Sequence, residues 1–107
     1  MNLNEKYKKQ LLSSIPVVAA MNVDIKQVES NSITISAPLD TNINYEGTAF
    51  GGSLNTACVL SGYLLVHHFL MDNNIKFNSL VIQDSSIKYL LPVQSDFIAK
   101  SYVQQKD

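Results

Sequence analysis

Cysteine is nearly absent from this sequence, glycine is scarce and neither sign of charge is in excess, and each shortage closes off a class of protein. Cys58 is the sole cysteine, so no disulfide can form within the chain, and its apolar surroundings predict a buried, inert thiol. Eight basic and nine acidic residues leave a net charge of −1, which offers no basic field for nucleic acid. Lys6, Lys8, Lys9, Lys26 and Lys76 are spread along the chain and read as solvated positions rather than a binding patch. No signal-peptide pattern opens the sequence, and no apolar run reaches 18 residues without a polar interruption. The expectation is therefore a cytoplasmic protein with no membrane partner. Internal repeats, linkers and low-complexity segments are also missing. No Asp or Glu occurs between Thr48 and Met71, so that stretch cannot supply a general base.

What is present begins with the four glycines, three of which are Gly47, Gly51 and Gly52. They fall in a polar loop, Asn42 to Leu54, that runs straight into an apolar segment from Ser53 to Met71. Leu54, Ala57, Cys58, Val59, Leu60, Tyr63, Leu64, Leu65, Val66, Phe69 and Leu70 lie on nearly every side of that segment, which predicts a long helix buried all round. Such a helix needs a curved sheet to wrap it. Its first N–H groups have no partner within the helix and sit at the positive end of the dipole, so they are suited to an oxyanion.

Strands for the sheet stand on both sides of the helix. Val23, Ile25 and Val28 interleave with polar residues, and Ile33, Ile35 and Ala37 alternate with Thr34 and Ser36 after a turn around Glu29 to Ser32, which predicts a hairpin. After the helix, Leu80 to Leu91 reads as a third strand and Asp96 to Gln104 as a weaker fourth. Leu3, Tyr7 and Leu11 repeat at helical spacing ahead of Pro16, giving a short amphipathic helix. With 46% hydrophobic residues, residues 1–107 suffice for the core of one α+β domain.

The order of elements, the segment from Asn44 to Leu54 (NYEGTAFGGSL) and the segment from Asp84 to Val93 (DSSIKYLLPV) resemble hotdog-fold thioesterases, in particular the YiiD C-terminal-type thioesterase domain. The resemblance runs from about Ile15 to the end. It implies a curved antiparallel sheet around a central helix, and active sites formed where two protomers meet in a homodimer or a dimer of dimers. It also implies five or six strands, so a C-terminally short domain lacking the last one or two is expected here.

The resemblance further implies hydrolysis of an acyl thioester on coenzyme A or acyl carrier protein, without a cofactor. One branch of these enzymes carries an acid seven residues after the second glycine, where this chain has Val59. Another places an Asp on the strand after the helix, eight residues before a proline, and Asp84 stands so before Pro92. Asp84 is thus the candidate general base, Asn44 the candidate binder of substrate or water, and the Gly52 N–H, helped by Gly51, the candidate oxyanion donor. Phe50 stands where many relatives have a histidine and would shape the acyl pocket, with Ser53 and Ser86 as further substrate contacts. No histidine is spaced to activate a serine, and the adjacent His67 and His68 point to different helix faces, so neither a serine triad nor a metal site is expected. A non-catalytic acyl-thioester-binding or regulatory module is the alternative. A hotdog dehydratase ranks last, because Phe50 replaces the histidine it would need.

Overall fold

The computed structural model describes residues 2–103. Helix α1, Leu3–Ser14, starts where the Asn2 side chain accepts the Glu5 N–H at 2.9 Å, satisfying one of the helix's orphan donors. Pro16 then opens a five-residue helix α2, Pro16–Ala20, at a position where its missing N–H costs nothing. Strands β1, Asp24–Val28, and β2, Ser32–Ala37, form the expected hairpin, with a register shift between Ile25 and Gln27. Helix α3, Gly51–Asp72, follows a long loop, and strand β3, Phe97–Tyr102, adds to β2. The three strands lie antiparallel in the order β1-β2-β3.

Alternation places Ile33 and Ile35 at the centre of the core with no exposed surface, and Phe97 and Ala99 beside them. Helix α3 lays Ala57, Leu60, Leu64 and Leu65 on this face against β2 and β3. This is the helix-on-sheet arrangement of a hotdog fold, reached with three strands among the described residues. By length and composition α3 could cross a membrane, yet its buried stripe also carries Ser53, Ser61 and His68, and it packs as a core helix does.

Helix α1 sits over β1 and reaches α3 through one side chain. The hydroxyl of buried Tyr7 is hydrogen-bonded to Nδ1 of buried His68 at 2.9 Å. The Tyr7 ring also meets His67 edge-on, while His67 stacks on Tyr63 and meets the edge of Phe77. Burial, and secondarily the charge of Asp72, push the Tyr7 hydroxyl above its ordinary pKa.

Two expectations are corrected. The stretch Leu80 to Leu91 forms no strand, because no neighbouring strand among the described residues offers it a ladder. An extended chain without cross-strand bonds has nothing to offset its conformational entropy. As a result α3 is not buried all round. Cys58 is exposed rather than enclosed, and Val66, Phe69 and Met71 also face outward.

Candidate active site at the start of helix α3

The loop before α3 is built by short-range bonds. Asn44 Oδ1 accepts the N–H groups of Glu46 and Thr48 at 2.8 and 3.1 Å, and Asn44 Nδ2 donates to Thr48 Oγ1 at 2.9 Å. Gly47 completes the turn at φ +79°, a conformation that side-chain-bearing residues rarely adopt. Asn42 Nδ2 donates to the carbonyls of Met21 and Pro38, so the loop is pinned to the end of α2 and to β2. The Ala49 N–H donates to Val93 at 2.8 Å and the Phe50 N–H to Asn42 at 2.7 Å. These bonds fix the entry to α3 from both sides.

Phe50 is the N-cap, in extended backbone and without a side-chain cap bond, and its carbonyl accepts the N–H groups of Ser53 and Leu54 at 3.0 and 3.1 Å. The amides of Gly51 and Gly52 donate to no acceptor among the described residues. No acidic side chain stands in the first turn. The 22-residue helix therefore presents free donors and an unneutralised dipole at this end. A side chain would be crowded at Gly52 and tight at Gly51. A Cβ at Gly52 would overlap the Phe50 ring, and one at Gly51 would lie 3.3 Å from the Tyr89 ring. The Tyr89 hydroxyl donates to the Gly51 carbonyl at 2.9 Å.

Tyr89 belongs to the stretch between α3 and β3, which runs down the outer face of α3 in the opposite direction. Leu80, Val81 and Ile82 lie beside Cys58, Val59, Gly62, Tyr63 and Val66, enclosing a groove of about 370 Å³. Asp84 and Ser85 line the same groove, and Asp84 is solvent-exposed. Nearer the helix start a second hollow of about 340 Å³ is lined by Thr48, Gly51, Leu54, Tyr89 and Leu91.

The expected site residues are thus partly gathered. Gly51, Gly52 and Phe50 share the helix start, while Asn44 clasps the loop with both ends of its amide. Asp84 is not at the helix start but lines a hollow with Cys58 and Val59, and Cys58 lies about 9 Å along the helix from Gly52 at 1.5 Å per residue. Ser53 is buried and Ser86 is exposed in the stretch after α3. The bond of Tyr89 to Gly51 leaves no signal in the sequence, since the contact joins residues 38 positions apart.

A family described as "Putative thioesterase (yiiD_Cterm)" matches residues 4–107. The chain belongs to this family. A "putative thioesterase" of known structure from Shewanella oneidensis is 32% identical, with a TM-score of 0.85 over 92% of this chain. A protein "with unknown function" from Chlorobaculum tepidum is 29% identical, with a TM-score of 0.88 over 97%. A "probable thioesterase" from Pseudomonas aeruginosa, 16% identical over 97% of the chain with a TM-score of 0.71, shares the fold. The chain spans 63% of the Chlorobaculum protein, 71% of the Shewanella protein and 68% of the Pseudomonas protein. No curated protein matches it. YiiD-type thioesterase membership thus rests on nearly the whole chain.

Proposed function

We propose that this YiiD-type chain hydrolyses an acyl thioester carried on coenzyme A or acyl carrier protein. The observation that carries the reading is the pair of unpartnered amides at the uncapped start of α3. A thioester carbonyl placed there gains negative charge as water adds to it, and preorganised N–H donors favour that charge over the neutral ground state. Collapse of the adduct expels the thiolate and leaves the carboxylic acid. Tyr89 holds the first turn through the Gly51 carbonyl, and the Phe50 ring lies against Gly52.

Asp84 is the base in this reading and orients or deprotonates the attacking water. Its separation from Gly52 along α3 leaves room for the thioester and water between them. The acting form is a homodimer or a dimer of dimers, with the outer face of α3 and the stretch after it covered by the partner. A second reading is favoured by the exposure of Asp84. A module that binds acyl thioesters without cleaving them would need no sheltered base.

Thiol release from short, medium and long acyl-coenzyme A and acyl carrier protein substrates separates the two. Hydrolysis predicts turnover by the wild type and a loss of roughly 10²-fold or more in Asp84→Asn, the range of general-base removal. Acyl-thioester binding without thiol release would identify the binding module instead.

A further inference from the structure

Asn42 is 3% exposed, yet only one end of its side chain is partnered. Nδ2 donates to the Pro38 carbonyl at 2.7 Å and to the Met21 carbonyl at 2.9 Å, whereas Oδ1 is buried with no partner among the described residues. Two carbonyl oxygens at those distances fix which end of the amide carries nitrogen. A buried polar atom left unpaired is costly, so this position uses asparagine for its N–H donors alone.

Those donors meet carbonyls that the backbone leaves over. Met21 is the C-cap of α2, where a helix has no N–H left for its carbonyls, and Thr41 Oγ1 donates there as well at 3.1 Å. Pro38 follows the last residue of β2. Asn42 is thus held to two separate elements, and its main chain passes that fixed position on, because its own carbonyl accepts the Phe50 N–H at 2.7 Å. The next N–H along the chain is that of Gly51, which lies in the plane of the peptide bond joining it to Phe50. The Gly52 N–H shares its plane with the Gly51 carbonyl, which the Tyr89 hydroxyl holds at 2.9 Å. Each free amide is therefore steadied by one bond from outside the helix, from Tyr89 for Gly52 and from Asn42, through Phe50, for Gly51.

We infer that Asn42 is a positioning residue for the oxyanion donor at Gly51, an assignment that rests on the acyl-thioester reading above. Its side chain touches no reacting atom and acts by fixing Phe50. Donors to a developing oxyanion must be held within about 0.5 Å and 10–20° of the productive geometry. The loop between β2 and α3 has only the isolated bridge from Ile43 to Ala49 to stiffen it, so bonds from side chains supply the remaining precision. Asn44 is the contrasting case. Its amide bonds to Glu46 and Thr48 stay inside the loop and shape the turn without tying it to another element.

The test compares Asn42→Ala, Asn42→Ser and Tyr7→Phe with the wild type in the full chain. Asn42→Ala keeps the main-chain carbonyl and removes both donors, and Asn42→Ser keeps one short donor. Tyr7→Phe removes a buried hydrogen bond near the other end of α3 and controls for lost stability alone. One-bond N–H residual dipolar couplings report how the Phe50, Gly51 and Gly52 amides are oriented against α3, without any turnover. In Asn42→Ala the Phe50 and Gly51 couplings should change, Gly52 should change less, and the amides from Leu60 to Leu70 should keep their wild-type values. The kcat for thiol release should fall about 10- to 100-fold, the range a displacement of about 1 Å produces. KM should stay nearly unchanged, since the donor acts on the transition state. Asn42→Ser should fall between, and Tyr7→Phe should keep both the couplings and kcat.

Wild-type couplings at Phe50 and Gly51 in a folded Asn42→Ala chain overturn the assignment. So does an equal loss of kcat in Tyr7→Phe, which would trace the effect to stability. A chain that unfolds with either substitution at position 42 overturns it as well, because the side chain would then hold the fold and not the site. Thiol release by the wild type with undiminished turnover in Asn42→Ala would sink the assignment and leave the hydrolase. Altered couplings beside a wild type that releases no thiol would sink the hydrolase reading and leave Asn42 as the residue that orients this amide.

Discussion

At the scale of single residues, the tertiary bond between Tyr7 and His68 is the most exposed to test. Tyr7→Phe keeps the ring and leaves buried His68 Nδ1 without its partner. A buried polar atom orphaned in this way costs about 1–3 kcal/mol, so denaturant unfolding should show a loss of that size, and an unchanged midpoint would mean the bond contributes nothing. Asp24 makes a contrasting case. Burial raises its pKa, but hydrogen bonds and charge from Lys26 and Lys8 outweigh this and hold the carboxyl below its ordinary value. A depressed folded pKa gives stability that is present above the unfolded value and lost as pH falls through the folded one. Because the side chain is 40% exposed, the effect is discounted to under about 1 kcal/mol. Wild type and Asp24→Asn should accordingly differ slightly at neutral pH and converge as pH falls through the depressed folded pKa of Asp24, as acid titration of unfolding would record. Little of this was readable from sequence. Tyr7 and His68 are 61 positions apart, and nothing local announces that an amphipathic helix will reach α3 through a single ring. Cys58 was misplaced for a related reason, since apolar sequence neighbours say nothing about which side of a helix finds a cover.

Among the elements, the hairpin and the long helix were legible because each carries its own periodicity. Ile33 and Ile35 alternate with polar residues, and the Gly51-Gly52 pair marks the change from loop to helix. The stretch from Leu80 to Leu91 has equally good strand composition, but composition cannot supply a bonding partner, and among the described residues β3 pairs with β2 instead. Hydrogen exchange should therefore divide the chain. Amides of α3 and β2 should be protected to near the global unfolding free energy, whereas those from Lys76 to Leu91 should exchange with little protection in the isolated protomer. Strong protection across Leu80 to Leu91 would show that the stretch finds a ladder in solution. The same distinction applies to the candidate site. Its helix start was legible in the glycine motif, while its Tyr89 strut and groove depend on how the stretch after α3 lies across the helix.

For the molecule as a whole, the distribution of apolar surface points to association. Val81, Leu90 and Leu91 are each more than three-quarters exposed, and Ile98 and Tyr102 face outward on β3. Leu90 and Leu91 are adjacent, and contiguous exposed apolar surface on a small protein marks contact surfaces. Sedimentation should show dimers or higher assemblies at micromolar concentration, and Leu90→Asp with Leu91→Asp should shift the chain towards monomer while leaving the Ile33 and Ile35 core folded. A wild-type chain that is monomeric throughout would remove the dimeric part of the proposed function. The fold, family and proposed chemistry meet at the uncapped start of α3. Gly51→Pro tests that meeting point most directly. Phe50 already has the extended backbone a following proline requires, with φ −63° and ψ 130°. Proline is tolerated at the first helical position, so the change deletes one donor at little cost to the helix, and its Cβ, 3.3 Å from the Tyr89 ring, asks that ring to give by a few tenths of an ångström. The measurement is kcat/KM for thiol release from the best acyl thioester, for wild type and Gly51→Pro. The predicted result is turnover by the wild type and a fall of about 10²-fold in the variant, carried in kcat. A folded wild type that releases no thiol from either carrier, or a Gly51→Pro chain as active as the wild type, would contradict catalysis by these amides.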